Sequence, residues 1–225
     1  MNKNEQELND AFVDVRRAYR LIAQLQSRLR DIAFYIKNRT QFSEQDCAGN
    51  KLYSKSISSS KRSMLDLYAS LKVSPNMWSW DFMYGYAFEF YLANTKIGDK
   101  ICAMSIIILC DDGFYISKDQ KKSKTSIRTY ASEEESNSWI ILAYGDGASS
   151  DCWMGGYDTN VFLETFMNRK GHVYKKEVSG NVFVAKKYLM QQFFNQETTD
   201  NNLKDFAKIV FEEADTNILN ENSIQ

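Results

Sequence analysis

Apolar residues recur every seven positions at the start of the chain, at Leu8, Val15, Ile22, Leu29 and Ile36. Phe12, Tyr19 and Ala33 follow three of these by four residues, Gln26 interrupts that second series, and Leu25 and Ile32 widen the stripe to one side. Arg16, Arg17, Arg20, Arg28, Arg30 and Asp31 occupy the remaining faces. This spacing predicts an amphipathic helix of roughly 35 residues from Glu5 to Arg39, about 50 Å long at 1.5 Å per residue. Such a helix either lies across a sheet of its own subunit or pairs with a copy of itself. The seven-residue series favours a seam, whereas the widened stripe and Gln26 favour packing on a globular body.

The period changes further on. WSWDFMYGYAFEF, residues 78–90, places a ring at every even position: Trp78, Trp80, Phe82, Tyr84, Tyr86, Phe88 and Phe90. A helix would be aromatic nearly all round, and rings favour extended backbone, so this stretch predicts a strand. Its other face, Ser79, Asp81, Met83, Gly85, Ala87 and Glu89, is small or polar and is expected to be wet, with a bulge or bend near Gly85. The rings are expected to be interior filling beneath helices. A base-stacking platform would set basic residues among them, and none occurs between Lys72 and Lys96.

NTKIGDK reads as a hairpin turn into the apolar run from Ile101 to Leu109, CDDG as a second turn into FYIS, and SWIILAY as another buried strand. Asp158 is placed to cap a short helix over TNVFLETFMNR. HVYKKEVSGNVFVAKKYL alternates on both sides of Ser179-Gly180-Asn181 and reads as a hairpin whose second arm can turn helical toward Phe194. A last amphipathic helix is expected over roughly Asn202 to Glu213, followed by a polar tail that frays. The pattern amounts to an α+β fold, an antiparallel, aromatic-lined sheet of about five or six strands packed against a long N-terminal helix and a C-terminal helix. Its segments are 1–48, the amphipathic helix and candidate oligomerisation element; 49–63, a Ser/Lys-rich connector; 64–215, the α+β domain; and 216–225, the tail.

Composition narrows the partners. Lys and Arg total 28 against 29 Asp and Glu, so there is no global pull toward nucleic acid or anionic lipid. The basic stretch 117–128 runs directly into Glu133, Glu134 and Glu135, which reads as two solvated blocks that offset each other. The polar start lacks the pattern of a secretory signal, and the run from Ile101 to Cys110 is too short to span a membrane as a helix. Cys47, Cys102, Cys110 and Cys152 form no CxxC pair, which suits reduced thiols in a cytoplasmic protein.

Chemistry is concentrated in one loop, YGDGASSDCWMGGYD. Asp146, Asp151 and Asp158, with Asp111 and Asp112 from the neighbouring turn, are the candidate ligands for Mg²⁺, because a hard cation takes carboxylate oxygens. Cys152 and His172, the single histidine, are the candidate thiolate–imidazolium pair. The loop lacks a phosphate-loop pattern, and no E-x-K triplet of a metal-dependent nuclease occurs. The leading expectation is therefore a non-enzymatic interaction or regulatory module, with Leu8, Val15, Ile22, Leu29 and Ile36 as its interaction residues and a protein partner or a second copy bound there. The alternative is a Mg²⁺-dependent nuclease or nucleotidase built on the loop aspartates.

Overall fold

The computed structural model describes residues 3–43, 48–51, 87–121, 127–147, 159–178 and 180–220. Its elements are α1 (Lys3–Arg39), β1 (Ala48–Lys51), β2 (Ala87–Ile97), β3 (Lys100–Leu109), α2 (Gly113–Ile116), β4 (Trp139–Asp146), α3 (Thr159–Met167), β5 (Val173–Val178), β6 (Asn181–Leu189) and α4 (Gln196–Ala214). The six strands form one sheet in the order β1-β2-β3-β4-β6-β5, antiparallel throughout. The expected α+β fold with its long N-terminal helix and C-terminal helix is the one observed. No helix among the described residues is long and apolar enough to cross a membrane.

Alternation along the strands divides the core in two. Cys102, Met104, Ile106 and Ile108 of β3, with Ile140, Leu142 and Tyr144 of β4, face the second half of α1 and the apolar stripe of α4. Ile107, Leu109, Trp139, Ile141 and Ala143 face the other way, against Phe162, Leu163 and Phe166 of α3. Covered on both sides, β4 is buried at every position, which is why its sequence is continuously apolar rather than alternating.

This second layer corrects the expected wet face. Ala87 is buried against the α3 cluster, and Glu89, 1% exposed, accepts a hydrogen bond from Ser105 Oγ at 2.8 Å. Phe88 and Phe90 do face the α1 side, half-buried and edge-to-face at 4.9 Å. Trp78 to Tyr86, and with them the expected bend at Gly85, lie outside the described residues. The bulge that is seen falls between Tyr91 and Asn94.

Other boundaries shift for local reasons. β2 and β3 are joined by the two-residue turn Gly98-Asp99, with Gly98 at φ +59, a backbone that glycine adopts without steric cost. FYIS is not a strand: Asp112 O accepts from the N–H groups of Tyr115 and Ile116, closing one helical turn. β6 stays extended to Leu189, paired with β4 as far as Leu189 and with β5 as far as Lys186, and the chain then turns helical over Met190–Phe193 as it approaches Phe194. α4 starts at Gln196, earlier than expected, because the Asn195 side chain caps it by accepting from Glu197 N (2.8 Å) and Thr198 N (3.4 Å). The segment after α4 does not fray over 216–220: Ile218 and Leu219 are buried, Thr40 bridges to Leu219, and Gln41 N donates to Ile218 O at 2.9 Å. β1 makes the start of the expected connector an edge strand.

Asp205 fastens α4 to β6, accepting from Lys186 Nζ at 2.6 Å and Tyr188 Oη at 2.7 Å. Partial burial pulls its carboxyl upward, but the hydrogen bonds from Lys186 and Tyr188 outweigh this and hold it below the usual carboxylate value. A depressed carboxyl contributes stability above its ordinary value and loses it as pH falls through its folded value. The deficit of Asp205→Asn relative to the unsubstituted chain should therefore shrink in urea titrations as pH is lowered from neutral to about 3. On α1, Ile36→Ala removes a fully buried side chain and should cost about 2–4 kcal/mol. Phe34→Ala, on the exposed side of the same turn, should stay within about 1 kcal/mol.

Candidate functional site

The stripe of α1 is used in two different ways along its length. From Leu25 onward it belongs to the body: Leu29 is 4% exposed, Ile36 is 0%, and Ile32 and Ala33 are buried beside them. Polar contacts fix this half to α4 and the turn before it. Tyr35 Oη donates to Asp200 Oδ1 at 2.8 Å, Arg39 pairs with Asp200 Oδ2 at 3.1 Å, and Arg28 Nη2 donates to Phe194 O at 3.1 Å. Before residue 25 the helix projects as an arm. Leu8 is 58% exposed, Phe12 51%, Val15 47% and Tyr19 69%, and Ile22 is half-buried at the transition.

The five candidate interaction residues thus separate. Leu8 and Val15 are bare on the arm, Ile22 stands at its foot, and Leu29 and Ile36 are core. An arm of 22 residues, 3–24, is about 33 Å long at 1.5 Å per residue. Packing an apolar face, rather than intrinsic propensity, supplies most of the stability of helices in proteins. The exposed Arg17–Asp14 pair (2.9 Å) and the Gln6–Asp10 hydrogen bond (3.3 Å) brace the arm locally. Such surface contacts are worth well under 1 kcal/mol each. Where the arm meets the sheet, a cavity of about 340 Å³ opens between Gln26, Ser27 and Arg30 of the helix and Phe88, Phe90 and Ile108 of the strands.

The candidate aspartates are not gathered into a cation site among the described residues. No group of three His, Cys, Asp or Glu side chains there is arranged to hold a metal ion. Asp146, 8% exposed at the end of β4, accepts from the Val182 backbone N–H and pairs with Lys100 Nζ at 3.4 Å, which fastens β4 to β6 and β3. The next residue, Gly147, has φ +69, and a Cβ there would strike the Asn181 side chain, so this glycine is required by the turn itself. Asp151, Cys152 and Asp158 lie outside the described residues. His172 is exposed, its ring 5.6 Å from that of Trp139. Cys102 and Cys110 are free thiols; burial pushes both upward, Cys110 to about 11, so neither is a thiolate at neutral pH.

A second polar cluster forms on the α3 side. Asp112, 2% exposed, accepts from Trp139 Nε1 at 2.6 Å and from Asn137 N at 2.7 Å. Beside it Lys187, 9% exposed, lies with Nζ 5.2 Å from the Trp139 ring centre and 5.4 Å from that of Phe166. Burial lowers the lysine, an effect that the nearby Asp112 carboxylate partly offsets. The alternation of VFVAKKYL carries this signal: Phe183, Ala185 and Lys187 share one face of the strand, so Lys187 points toward α3 and Lys186 toward α4. A base with a lowered folded value opposes folding while charged and is relieved as pH climbs toward its ordinary value, 10.5. Lys187→Met should therefore keep the fold and raise the thermal midpoint, and its advantage should narrow as the pH of the melt rises toward that value.

The model of the PM0109 family matches residues 5–215. No curated protein and no solved structure matches the chain.

Proposed function

We propose for this chain, which belongs to the PM0109 family, the role of a non-enzymatic interaction module that associates with a second copy of itself through the N-terminal arm. The observation that carries the reading is the row of Leu8, Phe12, Val15 and Tyr19, each about half exposed or more, on a helix whose following turns are rooted in the core. A contiguous apolar face of this kind marks a binding surface, because leaving it in water costs about 25 cal/mol for each Å². A second copy suits the arm's own charge. Residues 3–24 carry Lys3, Arg16, Arg17 and Arg20 against Glu5, Glu7, Asp10 and Asp14, so the arm is neutral as a whole and needs no partner of opposite sign. The free thiols Cys102 and Cys110 suit a reducing compartment and support a cytoplasmic location.

Against the Mg²⁺-dependent alternative stands the commitment of Asp146 to Lys100 and to the Val182 N–H, which occupies one of the three carboxylates proposed for such a site. The body then serves as a rigid mount for the arm.

Light scattering coupled to size exclusion tests the reading. The unsubstituted chain should run as a dimer or larger at micromolar concentration. Val15→Asp, which alters an exposed arm residue, should give a folded monomer with unchanged body signals. A monomeric unsubstituted chain would end the proposal. Leu29→Asp is unsuitable for this test, because it buries a charge in the core and unfolds the body.

A further inference from the structure

We infer that the second copy runs antiparallel, each arm covering residues 3–24 of the other. This rests on the self-association reading and gives it a direction. The argument begins from the continuity of the stripe. The series that is bare at Leu8 and Val15 is the one buried against the chain's own sheet at Leu29 and Ile36. The body therefore lies on the same side of α1 that a partner arm must occupy.

A parallel copy in register would continue past residue 24 along that side and meet the sheet, and its own body would need the same space. An antiparallel copy avoids both conflicts. Its helix starts where the sheet starts, with the partner's Lys3 beside residue 24, and its body sits at the far end of the arm. That register puts the two-fold axis between Val13 and Asp14, Phe12 beside the partner's Val15, and Tyr19 beside the partner's Leu8. Aromatic and aliphatic knobs then fill a single seam.

Charge points the same way. Acidic residues come first along the arm, Glu5, Glu7, Asp10 and Asp14, and basic residues follow, Arg16, Arg17 and Arg20. Parallel arms stack like on like, whereas antiparallel arms lay each acidic segment along a basic one, within the roughly 8 Å over which such charges act at physiological salt. Acid at a helix start also suits the helix dipole, so charge adds to a direction that the sheet already sets.

Glu7 and Leu21 are both exposed and stand fourteen residues apart, hence on one flank of the stripe. In the antiparallel pair, Glu7 lies near the partner's Leu21; in a parallel pair the two are separated by about 21 Å along the axis. Chains carrying Glu7→Cys and chains carrying Leu21→Cys are mixed, treated with a short bismaleimide and digested, and bridged peptides are identified by mass. The expected result is a dominant bridge between positions 7 and 21 of different chains. Chains carrying Leu8→Cys should give no disulfide between their own position-8 residues under mild oxidation. A dimer that forms the position-8 disulfide and no 7–21 bridge overturns the antiparallel direction and leaves self-association standing. A chain that stays monomeric at all concentrations overturns both.

Discussion

Everything else in the structure depends on the docking of half a helix. Leu29, Ile32, Ala33 and Ile36 are pressed against the even-numbered face of β3 and β4, and this contact fixes where α1 lies on the sheet. Leu29, Ile32 and Ile36 are each worth on the order of 1.5–3 kcal/mol in removal from water. The helix cannot slide or rotate without exposing this set, so the direction in which residues 3–24 leave the body is decided by residues that take no part in whatever the arm binds. Tyr35, Arg39 and Asp200 add orientation to this apolar hold.

The sheet is arranged to bear that load. Its two central strands, β3 and β4, are covered by α1 and α4 on one side and by α3 on the other, so the platform beneath the helix is itself enclosed. Polar groups within the enclosure are matched rather than left open. Glu89 meets Ser105, Asp112 meets the Trp139 indole and Asn137, and Asp146 meets Val182 and Lys100. A buried acceptor left unpaired costs about 1–3 kcal/mol, which explains why these carboxylates serve as fasteners.

Much of the architecture was legible because period and burial coincide. The seven-residue series announced the helix, the apolar runs at 101–109 and 138–144 announced the two buried strands, and the turn at Ser179-Gly180-Asn181 announced the hairpin. What escaped was set by neighbours distant in sequence. Glu89 sits on a face that reads as wet yet is buried, its carboxylate held by Ser105 of the neighbouring strand, sixteen residues on. The segment at 216–220 reads as a loose tail because its partner, Thr40, lies at the opposite end of the chain. Leu8 and Leu29 share one periodic pattern yet meet opposite fates, since a local pattern does not record where a sheet ends. In the glycine-rich loop the turn accounts for Asp146 and Gly147, while Asp151 and Asp158 lie outside the described residues.

The bridge between Thr40 and Leu219 has a mechanical consequence. Together with the Asn220 N–H donated to Arg39 O, it clamps the chain's late residues to the C-terminal end of α1, the end opposite the arm. A sideways pull on the arm pivots about the docked half of the helix, and this strap holds the far end of that half, so part of the load passes to the chain's late residues.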